Sequence, residues 1–135
     1  MAGHPVPSAE GWPGPAPASA SSPLGSARAP ALQGIRVVEV GNAIAGPFCG
    51  TQLADLGAEV IKVEQPDGGD TVRLTGPFVD GESSPFIRLN RNKRSLALDL
   101  KSAEGNEIFM KLAAAADIIV ENLRPGAMKK LGLEY

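Results

Sequence analysis

The sequence predicts an α/β fold built on a parallel sheet, and three observations carry that prediction. Residues 35–40, 60–63 and 118–120 are short β-branched apolar runs, the pattern of strands covered on both faces. A helix marked by glycine and proline separates the first two, which implies a right-handed βαβ crossover. The turn from Gly41 to Pro47 then falls at the carboxyl end of the first strand, where open α/β sheets bind their ligands.

Taken in order, Ile35, Val37, Val38 and Val40 form the first strand. Pro47, with a fixed φ and no N–H to lose, suits the first turn of the helix, and Gly57 supplies the left-handed residue that ends it. Cys49, Leu53 and Leu56 share one face of that helix and are expected to pack inward, and Val60, Ile61 and Val63 form the second strand. The stretch from Gln65 to Pro85 is dense in Gly, Pro and Asp and reads as a long loop. Ser95–Leu100 alternates with Leu96, Leu98 and Leu100 on one side, a half-buried strand. Ser102 is placed to cap the next helix with Glu104 in its first turn, and Ile108, Phe109, Leu112 and Ala116 form its inward face. Asp117 breaks that helix before Ile118–Val120, expected as a fully buried strand whose carboxyl end carries Glu121, Asn122, Leu123 and Arg124. Pro125 opens a short helix closed by Gly132.

Residues 1–31 hold seven of the twelve prolines and almost no charge, so a disordered tail is expected there, with no role for His4 or Trp12. Arg28 is its sole basic residue, and proline interrupts it throughout, which fits neither a secretory signal nor a mitochondrial presequence. A chain of 135 residues has room for one modest domain. A formal charge of −2 points away from a nucleic-acid coat or a membrane surface, and no apolar run approaches the roughly 20 residues of a membrane span. The single cysteine, Cys49, reads as a small packed residue in a reducing, cytoplasmic setting.

Several chemistries are excluded or weakened by residue type. Gly41 and Gly46 have P-loop spacing, but Pro47 and Phe48 stand where Lys and Ser or Thr are needed, so nucleotide triphosphate hydrolysis is rejected. Gly41, Ala43 and Gly46 match a dinucleotide fingerprint except at the middle position, with Glu64 where a ribose-binding acid would sit; the match is partial. Arg88, Arg91, Lys93 and Arg94 read as a solvated face or a small anion site, since Phe86 alone among aromatics lies near them. No His lies in residues 32–135, so neither a His-based triad nor a His-containing metal site is expected, and no metal is assigned. Asp55, Asp70, Asp80, Asp99 and Asp117 read as caps and loop charges.

In combination the blocks are more specific. LQGIRVVEV, AGPFCGTQLADLGAEVIKVE, GGDTVR, NRNKRSLALDLKSAEG and ADIIVENLRPGAMKKLGLEY, in that order, resemble the amino-terminal part of the family III CoA-transferases, from Leu32 to Tyr135. That group includes formyl-CoA:oxalate and carnitine-type CoA-transferases, with α-methylacyl-CoA racemase as a relative. The resemblance implies a Rossmann-like doubly wound parallel sheet, here truncated, within a longer two-domain chain that forms an interlocked homodimer. It implies acyl-CoA and a carboxylic acid as substrates, and transfer through an aspartate that passes through a mixed anhydride and an aspartyl-CoA thioester. That aspartate lies in a block beyond the one matched by Tyr135, so no catalytic residue is assigned here.

By the same resemblance, Ala43, Ile44 and Ala45 lie along the pantetheine of coenzyme A, and Leu98 and Lys101 lie beside its nucleotide. Asn122, Leu123 and Arg124 extend the site. From their positions at strand ends, Lys101 and Arg124 are expected to meet the CoA phosphates. Lys130 stands where the formyl-CoA enzyme has an arginine, keeping the charge but losing the fork, and Gln65 replaces an arginine that can contact CoA. Asn122 and Pro125 also fit an ordinary helix cap. The alternatives are an acyl-CoA racemase fragment, whose His and Asp would lie beyond Tyr135, and a non-catalytic remnant that binds CoA or nothing. A chain with unpaired sheet edges is expected to be marginally stable and prone to associate.

Overall fold

The computed structural model describes Trp12, Gly14 and residues 29–133. The expected disorder of residues 1–31 otherwise lies outside the described residues, as do His4 and Tyr135. Four parallel strands form the central sheet: β1 (Arg36–Val40), β2 (Glu59–Glu64), β5 (Lys93–Ala97) and β6 (Ile118–Glu121), in the order β5-β2-β1-β6. The chain therefore runs outward from β1 through β2 to β5 and then returns to the other side of β1. That reversal makes the gap between the carboxyl ends of β1 and β6 the topological switch point.

Helices cover both faces. α1 (Ala45–Asp55) joins β1 to β2, and α3 (Ala103–Ala115) joins β5 to β6. Between β2 and β5 lie a 3-10 turn (Thr71–Leu74), the small antiparallel pair β3 (Phe78–Val79) and β4 (Glu82–Ser83), and α2 (Ser84–Asn90). The long loop expected from composition is thus partly ordered. Ser83 makes this possible: its hydroxyl donates to the carbonyls of Val72 and Thr75 and accepts from the N–H of Phe86, capping α2.

The α3 side of the sheet is an ordinary apolar core in which Val38, Val40, Ile61 and Val63 pack with Leu98, Phe109, Leu112 and Leu133. The α1 side is different. Val37 and Val60 pack with Ala54 and Ala58, but the next inward positions are Glu39 and Lys62, paired in register and both buried.

That polar layer overturns the expected packing face of α1. Cys49 is exposed rather than packed and Leu56 is half exposed, while Leu53 does pack against the Val37 and Val60 side; the buried face is Gly46, Pro47, Gly50, Thr51 and Ala54. Small residues are needed because the helix rides close to the sheet: a Cβ on Gly50 would lie 1.9 Å from Oε2 of Glu39. Gly57 ends this segment at φ +98, as expected.

Four further expectations need correction. The strand expected at Ser95–Leu100 starts earlier and stops at Ala97, because its partner β2 ends at Glu64, the residue paired with Ala97. Leu96, Leu98 and Leu100 nevertheless pack on the α3 side. β6 is not a fully buried strand but an edge, half-buried to exposed, since it pairs with β1 alone among the described residues. Ile108 points outward, and Ala115 joins Phe109 and Leu112 on the inward face of α3, with Ala116 only partly buried. Ser102 caps α3 as expected, accepting from the N–H of Gly105. The last short helix, α4, is Ala127–Lys130, entered from left-handed Gly126 rather than at Pro125 and closed by left-handed Gly132.

Trp12 has a structural role that composition gave no sign of. Its indole Nε1 donates to Glu59 at 2.7 Å, Arg36 stacks over the ring, and the ring packs beside the α3-side core.

Candidate functional site

Past the carboxyl end of β1, the residues Gly41, Asn42 and Ala43 form a turn held from three directions. From the sheet, Lys62 donates to the carbonyl of Gly41 at 2.9 Å. From β6, the Asn122 amide clasps Asn42, its Oδ1 accepting from the Asn42 N–H and its Nδ2 donating to the Asn42 carbonyl, both at 2.9 Å. From the loop after β2, Asp70 Oδ1 accepts from the N–H of Ala43, and Thr71 donates its hydroxyl to Asn42 Oδ1. Ala43 is held at φ +65, in the left-handed region that a side chain disfavours.

Beneath this turn lies a buried set of charges. Lys62 Nζ stands 2.9 Å from Glu39 Oε1 and 2.9 Å from Asp70 Oδ2, and Lys93 Nζ stands 2.7 Å from Glu39 Oε2. Two carboxylates and two ammonium groups thus neutralise one another where a lone charge would be costly. Lys93 also donates to the carbonyls of Pro47 and Leu89, which ties α1 and α2 to β5. Desolvation is the largest influence on Lys93 and moves its pKa below the ordinary lysine value, against the pull of Glu39.

Glu64, at the end of β2, is equally committed. Burial would push its carboxyl up, but the Arg73 fork, the Ser95 hydroxyl and the Asp70 N–H together outweigh that and hold it at about 2. Arg73 is raised in turn, chiefly by its bonds to Glu64, and stacks on Phe86. A ribose-binding acid must offer a free carboxylate, and the N–H groups of Asn42 and Ala43 are already taken; the dinucleotide reading fails on both counts.

Two adjoining cavities open at this end of the sheet. The first, about 370 Å³, lies over the ends of β1, β2 and β5 between Asn42, Glu64, Leu98, Lys101 and Leu123. The second, about 350 Å³, shares Leu100, Lys101 and Leu131 with it and adds Ser102, Asn106 and Lys130. Leu98, Lys101, Leu123 and Lys130 are therefore brought together, with Lys101 on the wall common to both. Ala43, Ile44, Ala45, Asn122 and Arg124 line neither cavity. The first three are exposed on the turn into α1, Arg124 is exposed past β6, and the Asn122 amide is engaged by Asn42 rather than capping α4. Gln65 lines the first cavity and donates to the Gly69 carbonyl.

The basic cluster Arg88–Arg94, expected as a solvated face or a small anion site, is divided by the fold, with Arg88, Arg91 and Arg94 exposed. Lys93 turns inward to Glu39, Arg91 pairs with Asp55 on α1, and Arg94 donates to the carbonyl of Gly14.

Comparison with known proteins bears directly on this arrangement. The family model of CoA-transferase family III matches residues 32–135. The chain belongs to CoA-transferase family III. Among curated members, the mouse (Mus musculus) succinyl-CoA:glutarate CoA-transferase is 48% identical over 105 residues, spanning 77% of this chain and 24% of the relative. A succinate–glutarate CoA-transferase from Agrobacterium fabrum is 46% identical over 115 residues, 80% of this chain and 29% of that protein. A CAIB/BAIF family protein from Brucella suis, solved crystallographically, superposes with a TM-score of 0.72 at 44% identity, over 78% of this chain and 29% of its own. The chain thus spans about a quarter of the length of the curated CoA-transferases it matches. No helix among the described residues is long and apolar enough to cross a membrane.

Sequence reasoning passed over Glu39 and Lys62, read Lys93 as part of a solvated face or small anion site, and read Asp70 as a cap or loop charge, which it is for the 3-10 turn while also meeting Lys62. Two of them were signalled: Glu39 interrupts VVEV and Lys62 interrupts VIKVE, and a charge inside a strand covered on both faces requires a buried partner. Nothing local marks Asp70 or Lys93 as that partner.

Proposed function

We propose that this chain forms the CoA-binding, amino-terminal part of an enzyme that moves CoA from an acyl-CoA donor to a carboxylic acid. The observation that carries this reading is Lys101 on the wall common to two cavities, with Lys130 lining the second. Coenzyme A has a pyrophosphate and a ribose phosphate on one half and an uncharged pantetheine arm on the other. Paired lysines suit the first half. The exposed, uncharged turn Ala43–Ala45, whose leading N–H groups are already bonded, suits the second and not another phosphate.

The names of the relatives favour dicarboxylic acids as the substrate class, with succinyl-CoA as donor, and favour transfer over racemisation. In the reaction we propose, an aspartate carboxylate outside the matched blocks attacks the thioester carbonyl and the C–S bond breaks, releasing CoA thiolate and leaving a mixed anhydride. The thiolate attacks the aspartyl carbonyl, the donor acid leaves, and an aspartyl-CoA thioester remains. The acceptor carboxylate reverses these two steps and restores the aspartate. The residues described here bind and orient CoA. Exposed Phe48, Leu74, Phe78 and Val79 support assembly with further protein surface, in our reading an interlocked homodimer in a reducing cytoplasm.

Titration calorimetry with CoA tests the site. The double substitution Lys101→Ala, Lys130→Ala is expected to lower CoA affinity by about a hundredfold, with a shallower salt dependence, as befits two charge-assisted phosphate contacts. Unchanged affinity and unchanged salt dependence would refute the assignment.

A further inference from the structure

Resting on that CoA reading, we propose that Asp70 is a positioning residue for the pantetheine half of the ligand: seated on Lys62, it holds the Ala43 turn in its left-handed form from beneath. The carboxylate is buried and divides its two oxygens between separate tasks. Oδ2 lies 2.9 Å from Lys62 Nζ, which fixes the side chain to the middle of the sheet. Oδ1 accepts from the N–H of Val72 at 2.9 Å, ordering the loop's own turn, and from the N–H of Ala43 at 3.2 Å across the site. The backbone N–H of Asp70 is itself held by Glu64 at 2.9 Å.

The turn it meets has reason to need holding. Ala43 carries a Cβ yet sits at φ +65, a conformation that an alanine leaves unless its surroundings oppose the change. Asn42 cannot hold it alone, because the same Oδ1 that accepts from Ala43 also serves the Thr71 N–H and hydroxyl. Asp70 and Thr71 together therefore act as a clasp from the β2 loop onto the β1 turn, and Lys62 anchors both ends by also binding the Gly41 carbonyl. Lys101, just past β5, lines the first cavity together with Asn42 and Asp70, while Lys130, at the end of α4, lines only the second, which no residue of the clasp lines. Among the described residues no hydrogen bond or ion pair joins either lysine side chain to Asn42, Asp70 or Thr71, so release of the clasp should alter the surface met by the arm of CoA far more than the nucleotide end.

The test compares CoA with adenosine 3′,5′-bisphosphate, which lacks the pantetheine arm, by calorimetry on the full 135-residue chain. The unsubstituted chain is expected to bind both. Asp70→Ala is expected to weaken CoA about tenfold or more while the bisphosphate changes by less than about twofold, since freeing one strained residue is worth roughly that factor. Equal losses for the two ligands, or no loss, would overturn the positioning role while leaving the CoA reading intact. Should circular dichroism show that Asp70→Ala does not fold, Thr71→Val carries the test: Thr71 is exposed, valine keeps its shape, and about a threefold loss confined to CoA is expected from one missing hydrogen bond. A Thr71→Val chain that binds both ligands like the unsubstituted one would overturn the proposal. If the unsubstituted chain binds neither ligand, the CoA reading itself falls and the proposal falls with it.

Discussion

Gly50→Ala isolates the physics of the buried charges. A Cβ there would lie 1.9 Å from Glu39 Oε2, 3.0 Å from its Cδ and 3.3 Å from Lys93 Nζ. A carbon and an oxygen require roughly 3.3 Å, so either α1 or the carboxylate must move by more than about 1 Å. Neither is free to do so. Glu39 is held between Lys62 at 2.9 Å and Lys93 at 2.7 Å, and α1 is tied down by Lys93, which donates to the Pro47 carbonyl within it, and by its own Thr51, which donates to the Leu89 carbonyl of α2. Displacing the carboxylate breaks a buried pair, which costs about 3–5 kcal/mol, against a gain of about 1 kcal/mol from alanine's better helix propensity. A net loss of about 2–4 kcal/mol is expected, which lowers the urea midpoint by about 1 M or more. Equilibrium urea unfolding followed by far-ultraviolet circular dichroism measures it. A midpoint equal to or above that of the unsubstituted chain would refute the claim that Glu39 occupies the space over Gly50.

Two further outcomes are expected. Glu64 has a folded pKa of about 2 against an ordinary glutamate value of 4.5, so the stability it contributes is fully present above about pH 4.5 and is lost as pH falls toward 2. It amounts to no more than about 3 kcal/mol; Glu64→Gln should flatten that part of the urea-stability profile, and an acid limb of unchanged slope would contradict the assignment. Asn122→Ala removes both bonds to Asn42 and should raise hydrogen exchange at the Asn42 N–H, with a stability loss of about 1–3 kcal/mol. Undiminished protection at Asn42 would show that β6 does not hold the turn.

The apolar runs at Val37–Val40, Val60–Val63 and Ile118–Val120 were sufficient to place three strands of a parallel sheet, because a strand covered by helices must be apolar on successive positions whatever its neighbours are. Ser102 and Gly57 were readable for an equally local reason: a cap or a left-handed helix end is satisfied within a few residues of chain. Of the residues the family blocks named, Leu98, Lys101, Leu123 and Lys130 line the two cavities, whereas Ala43, Ile44, Ala45, Asn122 and Arg124 line neither. Tertiary structure decided the rest. Strand order placed the switch point between β1 and β6, and register put Glu39 beside Lys62. The Glu39 carboxylate then excluded side chains from Gly50, so α1 turned its small residues inward and left Cys49 in solvent. Asp70 joined the site from 27 residues away from Ala43. A hydrophobic pattern reports how much surface is buried, whereas the partner of a buried charge is set by where the backbone brings distant segments together, and no local pattern encodes that.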